Sequence, residues 1–160
     1  MSISSGYLTP KQCLLWGLKR GGIREADIAR KLHVSRVTVH QAVARANLKV
    51  SKALEEAAHL NKIDVETVDA KKGFLSGYSA HFKTQAFIIF SAKNGVQIWY
   101  KHEGNCKSCK RLQACRDLLL AEAEERRFLV TEDPSQILPS RLADVLFSRI
   151  MEEHEKHGSS

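Results

Sequence analysis

The chain has 160 residues, of which 43% are hydrophobic and 27% charged, and its formal net charge is +7. That suffices for one packed domain or two small ones, and no apolar run approaches the roughly 20 residues of a membrane-spanning helix. Met1 to Gly6 holds no basic stretch followed by an apolar one, so no secretory leader is expected and the expected location is the cytoplasm.

The first helix is predicted to start at Thr9, a good N-cap, with Pro10 in the first helical position. Cys13, Leu14, Trp16 and Leu18 offer it apolar contacts, and Gly21-Gly22 ends it. A second helix begins near Arg24, with Ile28, Ala29 and Leu32 on one apolar face; Ala29 is small enough to let a neighbouring helix cross closely. Val34 fills the corner, and Ser35 is a natural N-cap for a third helix with Val39 and Ala42 inward. Ser35, Arg36, Val37, His40, Gln41 and Ala44 are left outward, where base edges of a DNA major groove would be.

These residues resemble a known group. Leu8-Thr9-Pro10-Lys11-Gln12, Asp27-Ile28-Ala29, Val34-Ser35 and Thr38-Val39 look like the helix-turn-helix of LuxR-type regulators and of sigma-factor promoter-reading domains. A basic N-terminal reader followed by a small mixed domain is similar to archaeal Tfx-like regulators. The resemblance spans Leu8 to about Ala58, roughly a third of the chain. His33 departs from it, because such motifs carry Gly there; His tolerates a left-handed backbone better than most residues. The resemblance implies major-groove reading. Arg36, His40 and Gln41 are the base-contact candidates, with Val37 beside them, and Ser35, Thr38, Arg45 and Lys49 are the phosphate candidates. Charge agrees: residues 1–60 hold ten Lys or Arg against four Asp or Glu, net +6, while residues 61–160 carry +1. A basic segment of this kind attracts phosphate backbones.

No Pro or Gly follows until Gly73, so the third helix is predicted to run on to about Leu60. Val43, Ala46, Val50, Ala53, Ala57 and Leu60 recur at coiled-coil spacing and suggest a homodimer seam; the same residues could instead pack on the chain's own C-terminal domain. Beyond them, Ile63 to Val68 suggests a strand, and Lys71 to His81, with two Gly and two Ser, a loop. Ala86 to Phe90 and Val96 to Tyr100 flank Lys93-Asn94-Gly95, a hairpin signal. Leu112 to Phe128 and Ser140 to about His154 supply helices.

Three of the four cysteines, Cys106, Cys109 and Cys115, lie within ten residues. A two-residue gap lets a tight turn bring two sulfurs to one side, and the third would come from the following helix. Lys107, Lys110, Arg111 and Arg116 would favour thiolates. His102 would complete a zinc site, and Cys13 a four-sulfur iron–sulfur site. The spacing resembles the last three cysteines of iron–sulfur DNA-repair glycosylases and WhiB-like regulators, whose fourth cysteine lies upstream, where this chain has Trp99. Thiols without metal, or a disulfide within the trio, are the plain alternative. Glu122, Glu124, Glu125, Arg126 and Arg127 read as a solvated face, and His59, His81, His154 and His157 as surface residues.

The expected class is therefore α+β. An all-α helix-turn-helix with a long connecting helix occupies residues 1–60. A mixed domain with a β-hairpin or sheet, the cysteines and C-terminal helices occupies 61–160. The expected function is a non-enzymatic, sequence-specific transcription regulator that binds double-stranded DNA as a homodimer, sensing redox state or metal through its cysteines. No phosphate loop, nucleophile elbow or convincing carboxylate pair is present. The alternatives are a sigma-like module recruiting RNA polymerase, or a nucleic-acid-processing enzyme docked by the helix-turn-helix, for which Asp64, Glu66 and Asp69 are the carboxylates to test.

Overall fold

The computed structural model describes residues 8–102 and 105–158. Residues Met1 to Gly6, read above for a leader, and the Glu103-Gly104 step before the cysteines lie outside the described residues, as does the side chain of His157. The protein is α+β: three helices, a four-stranded antiparallel sheet, then two helices. It divides into two compact units, Met1–Trp99 and Tyr100–Ser160.

In the first unit, α1 (Pro10–Arg20) starts at Thr9, whose side chain accepts from the Gln12 N–H at 3.2 Å while Gln12 reaches back to the Thr9 N–H, a complete capping box. The helix turns Trp16 inward and packs Leu18 on the core as expected, but Leu15 is buried where Leu14 was expected, and Leu14 is exposed. α2 (Glu25–Leu32) ends at His33 in the left-handed region, φ 55° and ψ 42°, the conformation the missing Gly required. The His33 and Val34 amides close the end on the Arg30 and Ala29 carbonyls. α3 (Arg36–Leu60) runs 25 residues from Ser35, whose hydroxyl accepts from the Thr38 N–H at 3.1 Å. Leu15, Ile28, Ala29, Val39 and Val43 form the core of this three-helix head, with Leu18, Leu32, Val34 and Ala42 packed around it.

β1 (Ile63–Asp69), β2 (Phe74–Ser79), β3 (Thr84–Ser91) and β4 (Gly95–Tyr100) form a meander in chain order. β1 pairs with β2 from Ile63↔Ser79 to Asp69↔Phe74, with a bulge between Val65 and Thr67. The β3–β4 hairpin turns where Asn94-Gly95 predicts, Gly95 taking φ +66°. The loop expected over 71–81 is instead mostly β2, whose Ser76 and Ser79 are fully buried. Small residues there serve close approach: a Cβ on Gly77 would collide with the Asp64 carbonyl oxygen and the Ile63 side chain across the ladder.

α3 lies against α1 and against β1, β2 and β3. Val43, Ala46, Val50 and Ala53 are buried in this packing, along with Leu54 and Ala58, which the seam omitted; Leu60 is exposed. The predicted dimer seam is therefore occupied by the chain's own α1 and sheet. The sheet also falls in the same compact unit as the helices, so the units divide between residues 99 and 100 rather than after residue 60. The physical reason is that an Ala-rich face buries little area against a second identical face, whereas a sheet with Phe and Ile side chains fills it.

One node ties α1 to the sheet. The Trp16 and Phe90 rings meet edge to face at 5.2 Å, the Arg20 guanidinium sits 4.8 Å over the Trp16 ring, and it donates to the Phe90 carbonyl at 3.0 Å.

In the second unit, α4 (Leu112–Glu125) packs on α5 (Pro139–Gly158), with Leu119, Ala123, Leu142, Leu146, Phe147 and Ile150 buried. Arg116 Nε donates to the Ile137 carbonyl at 3.0 Å, fastening α4 to the entry of α5. The charged run on α4 is not wholly solvated. Glu122 and Arg126 are buried and paired at 3.1 Å, one turn apart; Glu124 and Arg127 are exposed. No helix among the described residues is long and apolar enough to cross a membrane.

Candidate nucleic-acid interface and cysteine cluster

The N-terminal half of α3 is held from below and open above. Val39 is fully buried and Val43 nearly so, while Ser35, Arg36, Val37, His40, Gln41, Ala44 and Arg45 are exposed. Exposed Leu48 extends the same face by one turn. Ser35 and Thr38 are joined by a 2.7 Å hydroxyl contact as well as the capping bond, which fixes the first turn of α3. Thr38 is half-buried. Lys49, four residues beyond Arg45, is also half-buried and donates to Gln12 Oε1 at 2.9 Å, so one of its three N–H donors already serves the α1 cap.

His40 has a partner that the sequence did not reveal. Its Nδ1 lies 3.1 Å from Glu25 Oε2, and because a carboxylate only accepts, that nitrogen carries the proton. Glu25 and His40 are fifteen residues apart, a pairing invisible without the angle between α2 and α3. In the same first turn of α2, Asp27 is bracketed by Arg24 at 2.8 Å and by Arg30. Hydrogen bonding from Arg24 holds the Asp27 carboxyl below its usual range, and Arg24 is raised in return.

Charge concentrates in the unit bearing this face. Residues 1–99 hold fifteen Lys or Arg and seven Asp or Glu, net +8, leaving −1 for residues 100–160. The sequence tally by halves missed that Lys71 and Lys72 belong to the basic unit; the signal was a Lys pair in the turn between two strands.

The cysteines lie in the second unit, except Cys13, which is half-buried on α1 of the first. Cys106–Ser108 form a single 3-10 turn closed by the Cys109 N–H on the Cys106 carbonyl at 3.2 Å. Cys106 is buried, Cys109 exposed, and Cys115 half-buried in the first turn of α4; none of the four forms a disulfide. Burial pushes the Cys115 thiol upward, Arg111 pulls it down, and Cys109 and Cys106 push it up again. His102 is exposed and hydrogen-bonds the Tyr100 carbonyl through Nδ1 at 2.9 Å, which in the neutral ring puts the lone pair on Nε2.

The donor chemistry suits a soft metal, and the 3-10 turn suits two of its ligands. The geometry is not a closed cage: among the described residues, no three His, Cys, Asp or Glu side chains are gathered as a metal-holding group.

No protein-family model, no curated protein and no solved structure matches the chain.

Proposed function

We propose that this protein is a sequence-specific DNA-binding transcription regulator whose α3 docks in the major groove. The observation that carries the reading is the exposed face Arg36, Val37, His40, Gln41, Ala44 on a helix whose opposite face, Val39 and Val43, is locked into a core. The concentration of positive charge in the same unit supports it. Fluorescence anisotropy against a random-sequence duplex pool, with selection of the bound fraction, tests it. Affinity is expected to fall linearly with the logarithm of salt, with a slope of about −0.9 per phosphate neutralised. No binding at low salt would reject the reading. A pull-down in which RNA polymerase is held more tightly than DNA would favour the recruiting module instead.

The homodimer, if DNA half-sites demand one, uses a surface other than the α3 seam, which the sheet covers.

The cysteine trio is proposed as a thiol-based metal or redox site of this regulator, supported by the placement of Cys106 and Cys109 about one 3-10 turn and of Cys115 in the first turn of α4. His102 is the fourth-ligand candidate in the same unit, Cys13 the one in the other. Bound zinc would staple the segment, and an iron–sulfur cluster would make it oxygen-sensitive. Protein purified without oxygen is expected to carry zinc, or iron with a brown absorbance, by elemental analysis. Absence of both would end the proposal.

A further inference from the structure

We propose that Glu25 and His40 form a two-residue base reader. Glu25 is the positioning residue: it holds the His40 ring with the proton on Nδ1. The lone pair left on Nε2 then selects a base that offers an exocyclic amino group in the major groove, adenine N6 or cytosine N4. The inference rests on the DNA-binding reading above and adds to it the class of base read by one named side chain.

The geometry supplies both parts. His40 Nδ1 lies 3.1 Å from Glu25 Oε2 and 3.3 Å from Oε1, so both carboxylate oxygens share one N–H. The bond made at one imidazole nitrogen decides what the other can do. With Nδ1 donating to a carboxylate, the neutral ring can only accept at Nε2. The two ring nitrogens point in divergent directions, so fixing Nδ1 on α2 aims Nε2 away from α2. The His40 side chain is 69% exposed and that of Glu25 16%, so the anchor is set into the head while the ring stands in the open.

Two observations argue against a mere surface staple. An ion pair this exposed contributes little to stability. Glu25 also stands where a carboxylate is costly. Residues 1–54 hold ten Lys or Arg and two acids, Glu25 and Asp27, and negative charge weakens a surface that docks phosphates. Asp27 is accounted for by Arg24 and Arg30. Glu25 has the imidazole of the reading face as its partner. Arg36, one turn earlier on α3, brings only donors and suits guanine. His40 brings an acceptor, so successive turns of one helix read opposite patterns.

The test has a protein arm and a DNA arm, both on the full chain at about pH 8, where imidazoles are neutral. Two-bond proton–nitrogen correlation spectra of isotope-labelled protein, with His40→Ala to assign the ring, are expected to show His40 protonated at Nδ1. Glu25→Ala should release the ring to the Nε2–H form that free imidazole favours. In the DNA arm, single amino groups of the selected duplex are deleted, with purine for adenine or pyrimidinone for cytosine. One deletion is expected to weaken binding about tenfold. Glu25→Ala and His40→Ala should each lose most of the response to that same deletion, and Glu25→Ala should change nothing further once His40 is alanine. A merely structural role would weaken all duplexes alike. A proton on Nε2 of the unsubstituted protein, alone or with one on Nδ1, would overturn the proposal. So would selective binding in which no amino group depends on both residues, and that outcome leaves the DNA-binding reading standing. Absence of binding to any duplex would remove that reading and this inference together.

Discussion

Gly73→Ala is expected to destabilise the protein by about 3 kcal/mol or more, the sum of a backbone term and an overlap term. Gly73 has φ +63°, where an alanine costs roughly 1–2 kcal/mol. Its added Cβ would also lie 2.6 Å from the Phe90 carbonyl oxygen and 2.8 Å from Cη2 of Trp16. Neither neighbour can retreat. The Phe90 carbonyl accepts from Arg20, the Phe90 N–H donates to the Gly73 carbonyl at 2.9 Å, and Trp16 is clamped between Phe90 and Arg20. Relief would require α1 to lift from the sheet. Gly22→Ala separates the two terms: φ is +88° but nothing lies within 4 Å, so only the backbone term of roughly 1–2 kcal/mol remains. Gly17→Ala, in mid-helix with open space around it, should stabilise by about 0.5–1 kcal/mol. Thermal unfolding of the three variants is the measurement. A Gly73→Ala melting temperature no lower than that of Gly22→Ala would refute the clamped node.

The head of the protein was legible because its signals are local. A cap, a breaker and an apolar stripe each act within one or two turns, and Thr9, Ser35, His33 and the length of α3 are all read that way. The Asn94-Gly95 hairpin was legible for the same reason. What escaped depends on residues far apart in the chain. β2 was hidden because Gly73, Gly77 and the serines mimic a loop, whereas they permit β1, Phe90 and Trp16 to come close. The α3 stripe was seen, but a 3-4 repeat records only that a face is apolar, not whether a partner helix or the chain's own sheet covers it. Burial of Glu122 with Arg126 was likewise unreadable, since an i, i+4 ion pair has the same spacing in water as inside.

The candidate site divides in the same way. Which residues of α3 face outward followed from periodicity, because helix geometry alone decides it. The pairing of His40 with Glu25 and of Lys49 with Gln12 did not, because each joins two helices. The cysteine spacing predicted the tight turn at Cys106 and the placement of Cys115 on α4, but spacing carries no information on how far the sulfurs converge.

Arg36→Ala is expected to lower affinity for the selected duplex by about 1–3 kcal/mol, about 5- to 150-fold, and to relax preference at one base pair. Arg36 is the first residue of α3, directly after the Ser35 cap, and the opening residues of a recognition helix are those that reach base edges. Its guanidinium is exposed, and its fork matches the O6 and N7 of guanine. Gln41, exposed on the same face, carries the amide that suits adenine, so Gln41→Ala should relax preference at a different base pair. Arg45→Ala is the contrast. As a phosphate contact it should weaken all duplexes alike and reduce the magnitude of the salt slope by about 1, whereas Arg36→Ala should leave the slope nearly unchanged while flattening the sequence preference. Anisotropy titrations of the variants on the selected duplex and on single-base-pair mutants of it, at several salt concentrations, separate the roles. A uniform loss with a reduced slope would move Arg36 to the backbone. Unchanged binding would remove the first turn of α3 from the interface.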